Sequence, residues 1–558
     1  MKKIFKKTFI IFSALFFIFG TSVKAAPMKS DFKLKVNDKN IVLTMPLLVE
    51  NDRTLAPLRL IAEELGYEVF WQESTRTVDI IDGLEKIVFT IDSNKVNING
   101  NVKEIDVNSR IYEDRTYIPI RALENLNSKI DWKNDTRTVL VNRNSEYYKE
   151  TPIKEESKPE KIKSSDRSTF EYWDYYNDYD TSVIMDSNEI IAFNQRNLNS
   201  RNKMKNISSM GETTDGSFLI EEMNRVAKFT NTRYNSSKKA HSTEFKEALK
   251  TNMNIPTNPN FFVKKGIINK RTIMRTYPTH EPFFKSSSSS LDYAVETAIY
   301  PWEEISIYHT SADGKWLYGE IFNCYGWVPV ENVSFGSQSE IDNLIKNSEF
   351  VVITTDKVKI NGVQLDMGTK VPLVSEDENS YRVLLPANSS VLSTYEVNLK
   401  KSLGNKGYLP FTQANMIKQA LKFHGEPYGW GGLNNTRDCS GLIQDVYRSF
   451  GILIPRNSGD QGNSVMGMTK SIKGMNKQDR INSLKQFGPG ASLHMTGHVM
   501  MYMGVDEKGI PSIIHHYIGH YIGSKYIPAN KCSITSLDIQ GSNKQTYLNN
   551  SYGLKYFK

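Results

Sequence analysis

A chain of 558 residues is longer than one hydrophobic core organises, so several domains are expected. Its net charge of +8 overstates its basicity: five of the 70 basic residues and none of the 62 acidic ones lie in residues 1–25, which leaves +3 for the remainder. That balance argues against a nucleic-acid partner or a charged membrane surface, and three cysteines (Cys324, Cys439 and Cys532) are too few for a disulfide framework.

Residues 1–25 read as an export signal. Lys2, Lys3, Lys6 and Lys7 precede an apolar run from Phe9 to Phe19, and Ala25 and Ala26 offer a cleavage site. The run is too short to span a bilayer, so an exported chain without a stable membrane anchor is expected.

Residues 33–143 hold an internal duplication. Arg53-Thr54, Pro57-Leu58-Arg59, Trp71 and Thr75-Arg76-Thr77-Val78 recur as Arg115-Thr116, Pro119-Ile120-Arg121, Trp132 and Thr136-Arg137-Thr138-Val139. Leu60, Ile61 and Leu65 predict a short helix stopped by Gly66, followed by a strand through Val69 and Trp71 and a turn at 73–76. The block resembles the copper amine oxidase N-terminal-like domain, an α/β module. It contains neither His nor Cys and so lacks the ligands of a copper site, which leaves an accessory role in binding or spacing.

Residues 144–168, rich in Lys, Glu, Ser and Pro, read as a solvated linker. The aromatic patch around Trp173 and the helical pattern from Ser187 to Asn194 open a stretch, 169–265, that resembles the stabilising segment ahead of some NlpC-type peptidases. Two β-rich stretches follow, at 268–335 and 348–411. Short alternating strands, the turn Ala312-Asp313-Gly314-Lys315 and the endings Gly326-Trp327-Val328-Pro329 and Gly407-Tyr408-Leu409-Pro410 resemble bacterial SH3-like barrels.

From Thr412 the pattern becomes α+β. Thr412 caps a helix carrying Ile417, Ala420 and Leu421, and Gly425 closes it. Pro427-Tyr428-Gly429-Trp430-Gly431-Gly432 is too glycine-rich for regular structure. Cys439 then opens a helix whose apolar positions are Leu442, Ile443, Val446, Tyr447 and Phe450. Free amides and the dipole at that end favour a thiolate, the species that attacks a carbonyl carbon.

Six of the nine histidines fall between His424 and His520. His498 opens a strand, 506–509 is read as a four-residue turn, and Ser512–Tyr517 returns. This register pairs Val505 with Ile510 and Met500 with His515, which sets His498 and His515 on one face and His516 on the other. A loop one residue longer would reverse the choice between His515 and His516. His424, His494 and His520 read as structural.

Residues 412–558 resemble the NlpC family of cell-wall peptidases, through Pro427–Gly432, Asp438-Cys439-Ser440-Gly441, Ile454-Pro455-Arg456-Asn457-Ser458, Gly490 and Gly497-His498-Val499. The resemblance implies a papain-like α+β catalytic domain with Cys439 as nucleophile, His498 as general base and His515 as its orienting partner. It also implies that Tyr428, Asp438 and Ser440 line the substrate site, Asp438 being suited to grip a ligand amine. Tyr325 is a candidate wall residue from the first barrel. The expected enzyme is a secreted, wall-associated cysteine endopeptidase that cuts peptidoglycan or muropeptides at the γ-D-glutamyl–diamino acid bond, with no cofactor and no metal. A non-catalytic wall-binding protein is the alternative.

Overall fold

The computed structural model describes residues 27–143, 161, 163–199 and 204–558, apart from positions 38, 42, 44, 66, 73, 74, 83, 84, 99, 114, 127, 347 and 348. The export signal, Gly66, the start of the turn at 73–76 and most of the linker lie outside the described residues. The chain divides into two compact units, 1–159 and 160–558.

In the first unit the duplication is written into the backbone. The hairpin arms Arg53–Pro57 and Arg115–Pro119 pair antiparallel with each other, Tyr117 opposite Pro57 and Pro119 opposite Leu55. Each arm runs into a short helical segment: α-helical at Leu58–Glu64 but 3-10 at Ile120–Leu126. Trp71 faces Val78 across one hairpin and Trp132 faces Val139 across the other. Arg76 and Arg137, at matching positions, both adopt left-handed backbone, with φ of 51° and 52°. Leu58, Ile61 and Leu65 from one copy and Ile118, Ile120 and Leu123 from the other share one core.

The second unit begins with helices. Thr169 caps Phe170–Asn177, and Ser187–Asn199, Ser217–Val226 and Thr243–Met253 follow. Trp173 is fully buried and belongs to the same core as Cys439, Val499 and Met500. Asn177 donates to Val505 O at 3.0 Å and accepts from Val505 N at 2.7 Å, bracing the end of the strand His498–Val505.

The first β-rich stretch forms a seven-stranded sheet, and its opening strand, Lys264–Ile268, begins before residue 268. The expected turn lies between the strands Glu304–Thr310 and Trp316–Ile321, with Gly314 at φ 70°. The second stretch gives a five-stranded sheet beside the two-stranded hairpin Lys357–Ile360/Val363–Asp366.

The last region is a six-stranded sheet covered by the helices Gln413–Leu421 and Cys439–Arg448. Thr412 caps the first by accepting from Asn415 N at 3.1 Å. The chain's last strand, Gly553–Tyr556, inserts between Met468–Ser471 and Ser492–Met495.

The strands His498–Val505 and Pro511–Ile522 correct one detail of the expected hairpin. Val505 pairs with Pro511 rather than Ile510, so the connection is one residue longer than read. A bulge between Tyr502 and Gly504 absorbs that residue, and Met501 faces Ile514 beyond it, which is the expected register. The two departures cancel before the histidines are reached.

One buried charge joins these parts. Arg437, 1% exposed at its side chain, lies 3.1 Å from Asp366, 2.7 Å from Glu426 and 2.9 Å from Asp445. Asp366 also receives Arg271 at 3.0 Å, and Glu426 receives Lys357 at 2.8 Å. Arg271 and Tyr300 flank strands of the first sheet, Lys357 and Asp366 come from the hairpin beside the second, and Arg437, Glu426 and Asp445 from the last region. Replacing Arg437 with Leu takes the guanidinium from Asp445 and leaves Asp366 and Glu426 with Arg271 and Lys357 alone. The expected cost is about 3–5 kcal/mol of unfolding free energy, read as a lower denaturant midpoint of the full chain; a midpoint equal to wild type would show that the cluster does not hold the parts together.

Candidate active site

The loop before Cys439 is shaped by glycine. Gly431 and Gly432 have φ of 59° and 91°, a region that favours glycine. A Cβ on Gly431 would sit 2.3 Å from Val295 Cγ1, and one on Gly432 2.4 Å from the Ala298 Cβ. The loop therefore lies directly against the strand Val295–Ile299 of the first sheet, and Trp430 packs on Tyr293 with ring centroids 5.4 Å apart.

Asp438 caps the helix Cys439–Arg448. Its Oδ1 accepts from Gly441 N at 2.8 Å, Ser440 Oγ at 3.2 Å and Arg456 Nη1 at 3.2 Å. Its Oδ2 accepts from Gly431 N at 3.0 Å and Arg456 Nη2 at 2.9 Å. Burial raises this carboxyl most, but Arg456 and the Gly441 and Gly431 amides together hold the group below the usual carboxylate range. A carboxylate has about four lone-pair sites, and these five donors occupy them. The expectation that Asp438 grips a ligand amine meets a side chain already engaged, because a buried carboxylate beside a helix start needs local partners. Ser440 is engaged too, accepting from Arg456 Nη1 at 2.8 Å. Arg456 itself is held by Thr297 Oγ1 of the first sheet at 2.6 Å.

Cys439 is buried at the first position of the helix Cys439–Arg448. The amides of Val499 and Ser440 approach its sulfur and favour the thiolate, yet burial, with Asp438 adding to it, pushes the thiol up to about 12. Against the expected thiolate stands the desolvation of a bare anion at this buried sulfur, which opposes what the helix end and two amides return.

The amide of Val499 places the sulfur beside the start of the next strand, where His498 stands. His498 Nε2 lies 2.9 Å from His515 Nδ1, and His515 Nε2 lies 3.0 Å from Thr535 Oγ1. Burial lowers His498 to about 4 and His515 well below its ordinary value. Tyr517 stacks on His515 with centroids 4.2 Å apart. His516 points to the other face, its Nε2 3.1 Å from Glu426 Oε2. His494 is buried with its ring nitrogens 3.1 Å from Ser458 O and 3.0 Å from Ser492 Oγ; His520 Nδ1 lies 3.2 Å from Tyr517 OH, and His424 is solvent-exposed.

Tyr428 is half-buried, and the neighbouring Cys439 and Asp438 add to burial in holding its hydroxyl up. Tyr325 packs edge-on against Phe218 at 5.6 Å and its hydroxyl donates to Glu222 Oε2 at 3.2 Å. Burial raises the Tyr325 hydroxyl, and its ring belongs with the apolar cluster of Trp316, Tyr318 and Trp327. All three cysteines are free thiols. Sequence reasoning gave no role to Arg456, although a buried carboxylate next to a nucleophile calls for a cation. It also missed Thr535, which no local pattern marks.

Sheets and site together define a multidomain, sheet-rich protein that joins SH3 and NlpC/P60 domains. Residues 425–546 match the NlpC/P60 family, residues 280–329 the SH3 domain (SH3b1 type), and residues 35–141 the copper amine oxidase N-terminal domain. The chain is 32% identical over 229 residues to a gamma-D-glutamyl-L-lysine dipeptidyl-peptidase of Bacillus cereus, covering 36% of this chain and 64% of that protein. It is 38% identical over 101 residues to the bifunctional muramidase/DL-endopeptidase CwlT of Bacillus subtilis, covering 18% of this chain and 29% of that protein. It thus spans less than two thirds of the length of either relative. An NlpC/P60 endopeptidase from Photobacterium damselae subsp. piscicida shares the fold, with a TM-score of 0.57 at 20% identity over 67% of this chain and 94% of that one.

The resting electrostatics give a direct test. A thiol held near 12 is un-ionised at neutral pH, and its thiolate fraction rises about tenfold per pH unit below that value. Alkylation of Cys439 by iodoacetamide, located by peptide mass spectrometry, is expected to climb steadily from pH 6 to pH 9. A rate already level across that range would show a thiolate–imidazolium pair at rest.

Proposed function

We propose that this chain is an exported, wall-associated cysteine endopeptidase with a papain-like catalytic domain at residues 412–558. Its reaction is hydrolysis of the γ-D-glutamyl–diamino acid bond of peptidoglycan stem peptides. The observation that carries the reading is the sulfur of Cys439 at a helix start beside the Val499 amide, one residue from His498, which is bonded to His515 at 2.9 Å. The wall-peptide activities named for the B. cereus and B. subtilis relatives support the substrate class.

With Nε2 of His498 turned to His515, Nδ1 is the nitrogen left to take the thiol proton. The sulfur attacks the γ-carbonyl carbon as that proton moves, and backbone amides at the helix start receive the oxyanion. Protonated His498 then gives the proton to the departing amine of the diamino acid. Water, losing a proton to neutral His498, cleaves the thioester and frees Cys439. Tyr428 flanks the cleft. Asp438, Ser440 and Arg456 form the frame that fixes the nucleophile, and Tyr325 supports the first barrel from within rather than facing the peptide.

In this reading 33–143 is an accessory module, 169–265 the stabilising segment, and 268–335 and 348–411 the two barrels. Incubating muropeptides with the full chain and following products by mass spectrometry tests the proposal. Wild type is expected to release peptides that begin at the diamino acid. Cys439→Ala and His498→Ala are expected to lower the rate at least about a thousandfold, as loss of a nucleophile or its base does elsewhere. Unchanged release by Cys439→Ala would overturn the assignment, and binding to sacculi without any cleavage by wild type would favour a wall-binding protein.

A further inference from the structure

We propose that Thr535 fixes the proton positions of the histidine pair and is a positioning residue for the nucleophile; this rests on the peptidase reading above. Thr535 lies on Lys525–Ser536, the edge strand paired with Pro511–Ile522. His515 faces Ser533 and Ile513 faces Thr535, so Thr535 is the diagonal neighbour of His515 on the same face. Its hydroxyl oxygen sits 3.0 Å from His515 Nε2, joining a His515 that is 1% exposed to a threonine that is half-buried.

The consequence follows from counting protons along the row. Each neutral imidazole carries one N–H, and the nitrogen that lacks it accepts. His498 serves as a base at Nδ1 only when its own proton is on Nε2. That N–H points at His515 Nδ1, 2.9 Å away, which must then be bare. His515 is left with its proton on Nε2, and the Thr535 hydroxyl, which could equally donate to a bare nitrogen, turns to accept that N–H. If His515 carried its proton on Nδ1 instead, that N–H would face His498 Nε2. His498 would then hold its proton on Nδ1, the nitrogen that must receive the thiol proton. Without the hydroxyl the productive arrangement leaves the His515 N–H without this acceptor, at a cost. Removing the hydroxyl therefore withdraws the support that the productive arrangement receives. One hydroxyl acts through two rings on a thiol it does not touch.

Thr535→Val keeps the shape and removes the acceptor. It is expected to lower kcat by about tenfold to a hundredfold with KM within about twofold, because the substrate contacts are untouched. Nitrogen-15 spectra of the histidine-labelled full chain are expected to show His498 and His515 protonated at Nε2 in wild type and at Nδ1 in the valine variant. Thr535→Ser, which retains the hydroxyl, is expected to restore both the turnover and the wild-type spectrum. If the valine variant is recovered unfolded, Thr535→Ala carries the same comparison without added bulk. Wild-type tautomers in the hydroxyl-free variants would overturn the proposal, as would a serine variant as slow as the valine one. Should wild type itself cleave no muropeptide, the peptidase reading fails, and the spectra alone decide the role of Thr535.

Discussion

Arg437 is a cation that water cannot reach, and the second unit is arranged around that fact. Isolated in an apolar interior, such a charge would be prohibitively unfavourable, so it persists only where carboxylates converge on it. Those carboxylates arrive from separate stretches: Asp366 from the hairpin beside the second sheet, Glu426 from the turn after a helix, Asp445 from the nucleophile's own helix. Burial even pushes Asp445 up to about 6 against the pull of Arg437, and Tyr300, flanking a strand of the first sheet, donates to it at 3.0 Å. Replacing such a network by apolar residues need not weaken a fold. Its effect here is positional, because each partner can be satisfied in one arrangement of the three parts only.

The next residue along repeats the device. Arg437 turns one way into its cluster, and Asp438 turns the other way onto Arg456 at 2.9 Å. Two buried ion pairs on consecutive residues thus hold the backbone that delivers Cys439, and both draw on the first sheet, through Arg271 and Thr297. The second pair also has an electrostatic effect at the sulfur. An uncompensated carboxylate beside the thiol would oppose every step toward a thiolate, and Arg456 offsets part of that effect, although Asp438 still adds to burial in raising the thiol. Burial is the largest effect on both groups and favours a neutral sulfur and a neutral imidazole at rest. Charge separation is then confined to the moment when a carbonyl carbon is present to receive the sulfur.

The local features of this site were legible in the residues. Helical spacing from Leu442 to Phe450 marked a buried helix, and Cys439 at its start was the one position where a thiol meets free amides. His498 and His515 were set on one face by strand alternation, although the hairpin reached that outcome through a longer loop and a bulge that offset each other. Features that depend on distant partners were not legible. Thr535 is 20 residues from His515 in the chain and meets it only through the register of a second hairpin. The docking of Trp173 into the core around Cys439, and the insertion of Gly553–Tyr556 into the middle of a sheet, likewise depend on tertiary packing that no window of residues contains. In the duplicated unit, matching sequence gave matching strands and turns, but one α-helical and one 3-10 segment, because near-identical motifs meet different neighbours.

The glycine pair ahead of the nucleophile shows why the first sheet cannot be treated as a tethered accessory. Gly431 and Gly432 are the points where the loop touches Val295 and Ala298, at distances no side chain allows. Gly432 O and Thr436 O both accept from Arg271, so the same loop is held by hydrogen bonds from the sheet it abuts. If the sheet were displaced, the loop would lose its ceiling and two of its acceptors' partners, and the Gly431 amide that completes the Asp438 cage would be free to turn away. The frame of the nucleophile is therefore shared between two domains.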